Sequence, residues 1–135
     1  MNTTYTIPNG TTFSISAKKK EISTALLGDY HQVYTITIAC RGIKESFTFH
    51  DSIYNYRRGT PATEPMLRDA LNSVLMDAET AKLCPSFRDF ICEFGYGDEQ
   101  KAEARRVFNG CHRNLTKVSN LFTKADTDQI FDTLL

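Results

Sequence analysis

At 135 residues the chain has the length of one folding unit, enough to bury a core without the help of metal or disulfides. Its 41% hydrophobic and 24% charged residues are those of a globular protein and exclude a disordered chain, and no run approaches the ~18 apolar residues of a membrane span. The sixteen basic and sixteen acidic side chains cancel, which argues against a dedicated nucleic-acid binder and against an acidic mimic.

The first half reads as strands. Residues 11–17 alternate, with Phe13, Ile15 and Ala17 on one side and Ser14 and Ser16 on the other. Lys18, Lys19 and Lys20 follow, a charge run suited to protecting a sheet edge. Residues 21–30 read as strand running into a loop at Gly28 and Asp29, with a short helix carrying Ile22, Ala25 and Leu26 as the alternative. Over residues 32–40 the alternation is strongest, with Tyr34, Ile36, Ile38 and Cys40 on one face and Val33, Thr35, Thr37 and Ala39 on the other. Arg41-Gly42 marks a turn, and residues 44–50 return with Phe47 and Phe49 on one face.

Helical signals dominate after the connector. Thr63 is placed to cap a helix with Pro65 in its first turn, and Met66/Leu67, Ala70/Leu71, Val74/Leu75 and Ala78 recur at helical spacing up to the break at Cys84-Pro85. Ser86 caps a second helix with Asp89 three residues on; Phe87, Phe90, Ile91 and Phe94 form its expected buried stripe and Gly95 its left-handed stop. The longest helix is expected to start at Asp98, with a seam of Ala104, Phe108, Cys111, Leu115, Val118 and Phe122. Gly110 inside it costs about 1 kcal/mol relative to Ala and would admit a close backbone neighbour. Asp126 or Thr127 is expected to cap a last helix whose Ile130, Phe131, Leu134 and Leu135 dock either on the fold or on a second copy. The expected fold class is α+β, an N-terminal antiparallel sheet of about three strands packed against three to four C-terminal helices. Residues 1–135 form a single domain, with mainly strands over 1–50, a connector over 51–64 and helices over 65–135.

Catalytic patterns are missing. There is no G-x-S-x-G and no Walker loop, and Gly95-Tyr96-Gly97 runs into Asp98-Glu99-Gln100 instead of completing a dinucleotide fingerprint. Cys40, Cys84, Cys92 and Cys111 show no C-x-x-C spacing, and His31, His50 and His112 no metal-ligand spacing; the thiols are expected to be reduced, buried packing residues. No catalytic residue, cofactor or metal is expected. An enzyme would need a pocket built around Cys111 and His112 or around paired carboxylates.

The basic side chains are the candidate binding groups. Seven basic and four acidic residues lie in 1–60 (net +3), nine and twelve in 61–135 (net −3). Arg106, Arg113, Lys117 and Lys124 would share the face of the long helix opposite its seam, with Asn109 and Asn120 between them, against the alternative of a solvated face with pairs such as Glu103–Arg106. Arg57 and Arg58, flanked by Tyr54 and Tyr56, combine cation with stacking surface. The candidate partner-binding set is therefore Tyr54, Tyr56, Arg57, Arg58, Arg106, Arg113 and Lys117.

One resemblance adds to this reading. Phe87-x-Asp89-Phe90-x-Cys92-Glu93-Phe94-Gly95-Tyr96, followed by Lys101-Ala102, Cys111 and Leu121-Phe122, resembles a group of small proteins from phages and mobile elements that run F-x-D-F-C-x-E-F-G-Y. Phe47-Thr48-Phe49, Asp51-Ser52-Ile53, Thr60-Pro61 and the helix over 65–78 look like the same group, so the likeness spans roughly residues 30–123; Ile91 stands at the usual cysteine place. The resemblance implies a non-catalytic, phage-type binding protein in the host cytoplasm. It would inhibit or modulate a host protein or ribonucleoprotein complex, as anti-CRISPR proteins act on bacterial defence. The N-terminus, with no basic start leading into an apolar run, fits that location. No membrane partner is expected, and a homodimer through the C-terminal apolar helix is an open alternative. A nucleic-acid-binding accessory protein, adding Lys18, Lys19 and Lys20 to the arginines and Lys117, is the competing function.

Overall fold

The computed structural model describes residues 2–24, 30–52 and 62–135, with side chains described over 2–19, 33–50 and 62–135. Four strands come first: β1 (Asn2–Thr6), β2 (Thr12–Thr24), β3 (Tyr30–Cys40) and β4 (Ile43–Ser52). They form one antiparallel sheet in the order β1-β2-β3-β4. Then follow α1 (Glu64–Leu83), α2 (Phe87–Phe94), a 3₁₀ turn (Asp98–Gln100), α3 (Lys101–Leu121) and α4 (Lys124–Leu134). The class is α+β, with one strand more than the sequence pattern showed. β1 escapes that pattern because Asn-Thr-Thr-Tyr-Thr has a single large apolar side chain and therefore no hydrophobic period.

Register puts the apolar set on one face. Phe13 pairs with Cys40, Ile15 with Ile38 and Ala17 with Ile36, while Ile36 in turn pairs with Phe47 and Tyr34 with Phe49. These side chains line the covered face; the other carries Ser14, Ser16, Thr35 and Thr37. Residues 21–24 belong to β2, as expected of a strand there; the loop expected at Gly28 and Asp29 lies outside the described residues. The register of β2 against β3 shifts between Lys19 and Glu21, which makes Lys20 a bulge. Among the described residues β1 pairs with β2 as far as Ser16, so the exposed Lys18 and Lys19 sit on β2 beyond the last of those pairs. That is where a charged run discourages pairing with other chains.

The β3–β4 turn holds Arg41 at φ 52° and Gly42 at φ 80°. Two successive left-handed residues give the two-residue turn whose twist matches the strands, and a side chain at the first of them is strained. Arg41 is held there by its guanidinium, which reaches Asp126, Thr11 and the Leu121 carbonyl at 2.8, 2.8 and 3.2 Å.

α1 covers the sheet. Thr63 caps it, with its hydroxyl accepting from the Met66 N–H, and Met66, Leu67, Ala70, Leu71, Val74, Leu75, Ala78 and Ala81 are buried. All but Ala81 join the sheet face in the main core, where Phe122 meets Phe13 edge to face at 5.1 Å between ring centres. α3 runs antiparallel to α1, bringing Asn114 onto Asp77 and Ala104 into a cluster with Cys84. The α3 seam is close to that expected: Ala104, Cys111, Val118 and Phe122 are buried, Phe108 and Leu115 partly so.

Four local expectations are corrected. The longest helix starts at Lys101, after the 3₁₀ turn, and not at Asp98. The α2 stripe is not buried as a whole: Phe90 is, Phe87 and Ile91 are half-covered, and Phe94 is 50% exposed. An eight-residue helix beside α3 has too little neighbouring surface to cover four large side chains. Gly110 admits no close backbone, since the nearest atom to a Cβ built there is the Arg113 guanidinium at 3.8 Å. α4 is capped by Thr123, not by Asp126 or Thr127; Asp126 is the third helical residue and completes a reciprocal capping box. The last helix docks on its own fold, with Ile130 buried and Phe131 and Leu134 packed on the core, which leaves Leu135 41% exposed.

Candidate functional site

Where α3 passes β4, the two enclose a groove of about 380 Å³. Ser46, Phe47, Thr48 and His50 form the strand side, with Thr35 of β3 next to them; Arg106, Val107, Gly110, Arg113, Asn114 and Lys117 form the helix side; Asp77 and the buried Cys111 complete the lining. Helical spacing accounts for the cations, since 106, 113 and 117 are i, i+7 and i+11 and return to one side of the helix. Three of the expected binding residues, Arg106, Arg113 and Lys117, thus meet in one groove. Tyr54, Tyr56, Arg57 and Arg58 lie outside the described residues.

Each cation has a different setting. Arg106 donates through Nε to Glu103 at 3.0 Å, the intrahelical pair weighed from sequence. With 71% of its side chain exposed, that pair is screened and binds Arg106 loosely to its neighbour. Lys117 donates through Nζ to the backbone carbonyl of Ser46 at 2.5 Å and lies 5.4 Å from the Phe47 ring centre. Arg113 is exposed and makes no ion pair among the described residues. Lys124 does not belong to the stripe. It starts α4 and pairs with Asp128 at 2.9 Å, and exposed Asn109 and Asn120 do not line the groove. Nor does the stripe oppose the seam, because Cys111 of the seam lines the same groove.

In the groove lining, Asn114 donates to Asp77 Oδ2 at 2.9 Å. Burial raises the Asp77 carboxyl above its ordinary value, against the pull of hydrogen bonds from Asn114 and Cys111. The Cys111 thiol is pushed up to about 11, first by burial and then by the nearby Asp77 charge, so it stays protonated at neutral pH and is a poor nucleophile. His112, next in sequence, turns elsewhere and bonds the Cys84 carbonyl at 3.0 Å. The imidazole and the thiol do not converge. Cys40, Cys84 and Cys111 are buried as expected, whereas Cys92 is exposed. Among the described residues no group of three or more His, Cys, Asp or Glu side chains could hold a metal ion, and no helix is long and apolar enough to cross a membrane.

The sequence pattern picked out the cations of the helix side, on a face expected opposite the seam, and gave no sign of the strand side. Ser46 and Thr48 carry no chemistry in themselves. They matter because β4 is the outer strand among the described residues, and strand order is not written in a period-2 pattern. No family model matches the chain, and neither a curated protein nor a solved structure matches it.

Proposed function

We propose that this protein acts by binding rather than by catalysis, using the α3–β4 groove to engage an acidic surface of a host protein or ribonucleoprotein complex. The observation that carries the reading is the convergence of Arg106, Arg113 and Lys117 on one groove in a chain whose formal charge is zero. Clustered cations, with Arg113 free of any ion pair among the described residues, attract an acidic partner and orient it. The polar groups that line the groove with them, Asp77, Asn114 and Cys111, bond one another and serve a structural role. The resemblance to phage and mobile-element proteins supplies the biological setting: an inhibitor of a bacterial defence complex, anti-CRISPR-like, working in the cytoplasm of the host.

The test is phage plating on a bacterium with an active CRISPR system. Expression of the protein is expected to raise plating efficiency by about tenfold or more, and Arg113→Glu with Lys117→Glu to abolish the gain. Equal plating with and without the folded protein, across hosts carrying different defence systems, refutes the inhibitory role.

A further inference from the structure

We propose that the groove receives an extended acidic segment of the partner, which adds to the sheet as a further strand along β4. This rests on the binding role proposed above and names the form that the partner takes. β4 is the last strand in the order β1-β2-β3-β4, and among the described residues no strand lies on its outer side. The direction of its backbone groups follows from the register. The two-residue turn makes Cys40 and Ile43 the first mutually bonded pair, so by alternation Ser46, opposite Thr37, turns its N–H and C=O away from β3, and there the Lys117 ammonium meets the carbonyl. Backbone groups of a strand alternate sides with period two, so the N–H and C=O of Thr48 face the same way as those of Ser46. Both residues line the groove. The strand side of the groove is therefore a row of backbone donors and acceptors, and the opposite, helix side is cationic.

That pairing of surfaces selects a peptide. A peptide main chain answers N–H and C=O in turn, as strand addition requires. A phosphodiester offers only acceptors and would set them against the Ser46 and Thr48 carbonyls. The Phe47 ring is buried in the core, with the Lys117 ammonium over it, and offers bases no stacking platform. The charge on the peptide follows from Arg113, which has no ion pair among the described residues, and from Arg106, which is largely exposed. Lys117 guards the edge in the free protein. A charged side chain on an edge carbonyl discourages indiscriminate pairing, and on arrival of the acidic strand it exchanges the Ser46 carbonyl for a carboxylate. Gly110, with no side chain, keeps the helix wall back from the strand.

The experiment uses the full chain and three labelled probes: an acetylated peptide of about eight residues alternating Glu and Val, its Lys-Val counterpart, and a dT oligonucleotide of about twelve nucleotides. Fluorescence anisotropy is expected to show binding of the Glu-Val peptide alone, weakened about tenfold by Arg113→Glu. In the complex, amide exchange at Ser46 and Thr48 is expected to slow by about tenfold or more, as strand pairing protects those N–H groups. Thr48→Pro removes the outward N–H at a position where an edge strand tolerates proline and is expected to weaken the peptide while the circular dichroism spectrum is kept. If that variant does not fold, amide exchange of the wild-type complex decides. Glu-Val binding that Arg113→Glu weakens, with Thr48 exchange unchanged, overturns strand addition and leaves the cationic groove standing. Binding of dT without Glu-Val, or of no probe, overturns both.

Discussion

Asp126 is the residue on which hydrogen bonds from several separate parts of the chain converge. Its side chain is fully buried and receives the Thr123 N–H at 3.0 Å, Asn9 Nδ2 at 2.8 Å, Thr11 Oγ1 at 3.1 Å and Arg41 Nη2 at 2.8 Å. These donors come from the start of α4, the β1–β2 loop and the β3–β4 turn, so one carboxylate ties three distant parts of the chain. Burial by itself would raise the carboxyl, but the donors together outweigh it and hold it well below the usual carboxylate range. The sign follows: a folded-state value below the unfolded one contributes stability above about pH 4 and loses it as pH falls below that. Asp126→Ala is expected to cost about 3 kcal/mol in urea unfolding at pH 7, since it leaves buried donors unpaired and removes part of a cap. The difference from wild type should shrink as pH is lowered below about 4; a pH-independent difference would remove the carboxylate from the account.

At the scale of elements, α3 and α2 differ in how firmly they are held. α3 packs against α1 on one side and meets β4 across the groove on the other, and its one defect in helix chemistry is Gly110. A Cβ there meets nothing closer than the Arg113 guanidinium at 3.8 Å. Gly110→Ala is therefore expected to stabilise the protein by about 1 kcal/mol in thermal or urea unfolding. If strand addition is correct, the same methyl narrows the groove and weakens the acidic peptide. α2 is a satellite. Ser86 caps it through the Asp89 N–H at 3.1 Å, Gly95 ends it at φ 70°, and Phe90 anchors it against Tyr96 and Phe108. Phe90→Ala is expected to cost about 3 kcal/mol or to free α2 locally, whereas Phe94→Ala, at a half-exposed position, should cost well under half as much. Amide exchange over 87–94 would separate local release from global unfolding.

At the scale of the molecule, α4 closes the structure. It brings Ile130, fully buried, into the core and supplies the Asp126 carboxylate to loops more than a hundred residues away in sequence. Truncation after Thr123 removes both at once, and the shortened chain is expected to lose cooperative unfolding by calorimetry. Retention of a sharp transition would show that sheet, α1 and α3 suffice. The same closure bears on assembly. Most of the C-terminal apolar stripe is covered within the chain, so a second copy would find Leu135, at 41% exposure, as the main apolar side chain left at that end.

Local pattern in this chain was legible wherever a period or a cap wrote it down. The alternation in β3, the paired apolar residues of α1, the caps at Thr63 and Ser86 and the stop at Gly95 all depend on near neighbours, and near neighbours are adjacent in sequence. β1 was not legible, because Asn2–Thr6 gains its strand state from pairing with β2 and from Tyr5, which donates to Glu64 at 2.5 Å. The role of Asp126 was not legible either, since its partners Asn9, Thr11 and Arg41 lie far along the chain. The groove divides in the same way. Spacing alone put Arg106, Arg113 and Lys117 on one side of a helix; which surface that side meets was decided by strand order, which leaves β4 outermost among the described residues with its backbone turned toward α3. A helix face is a property of its own residues, while a groove exists only between two elements, and long-range packing alone sets them side by side.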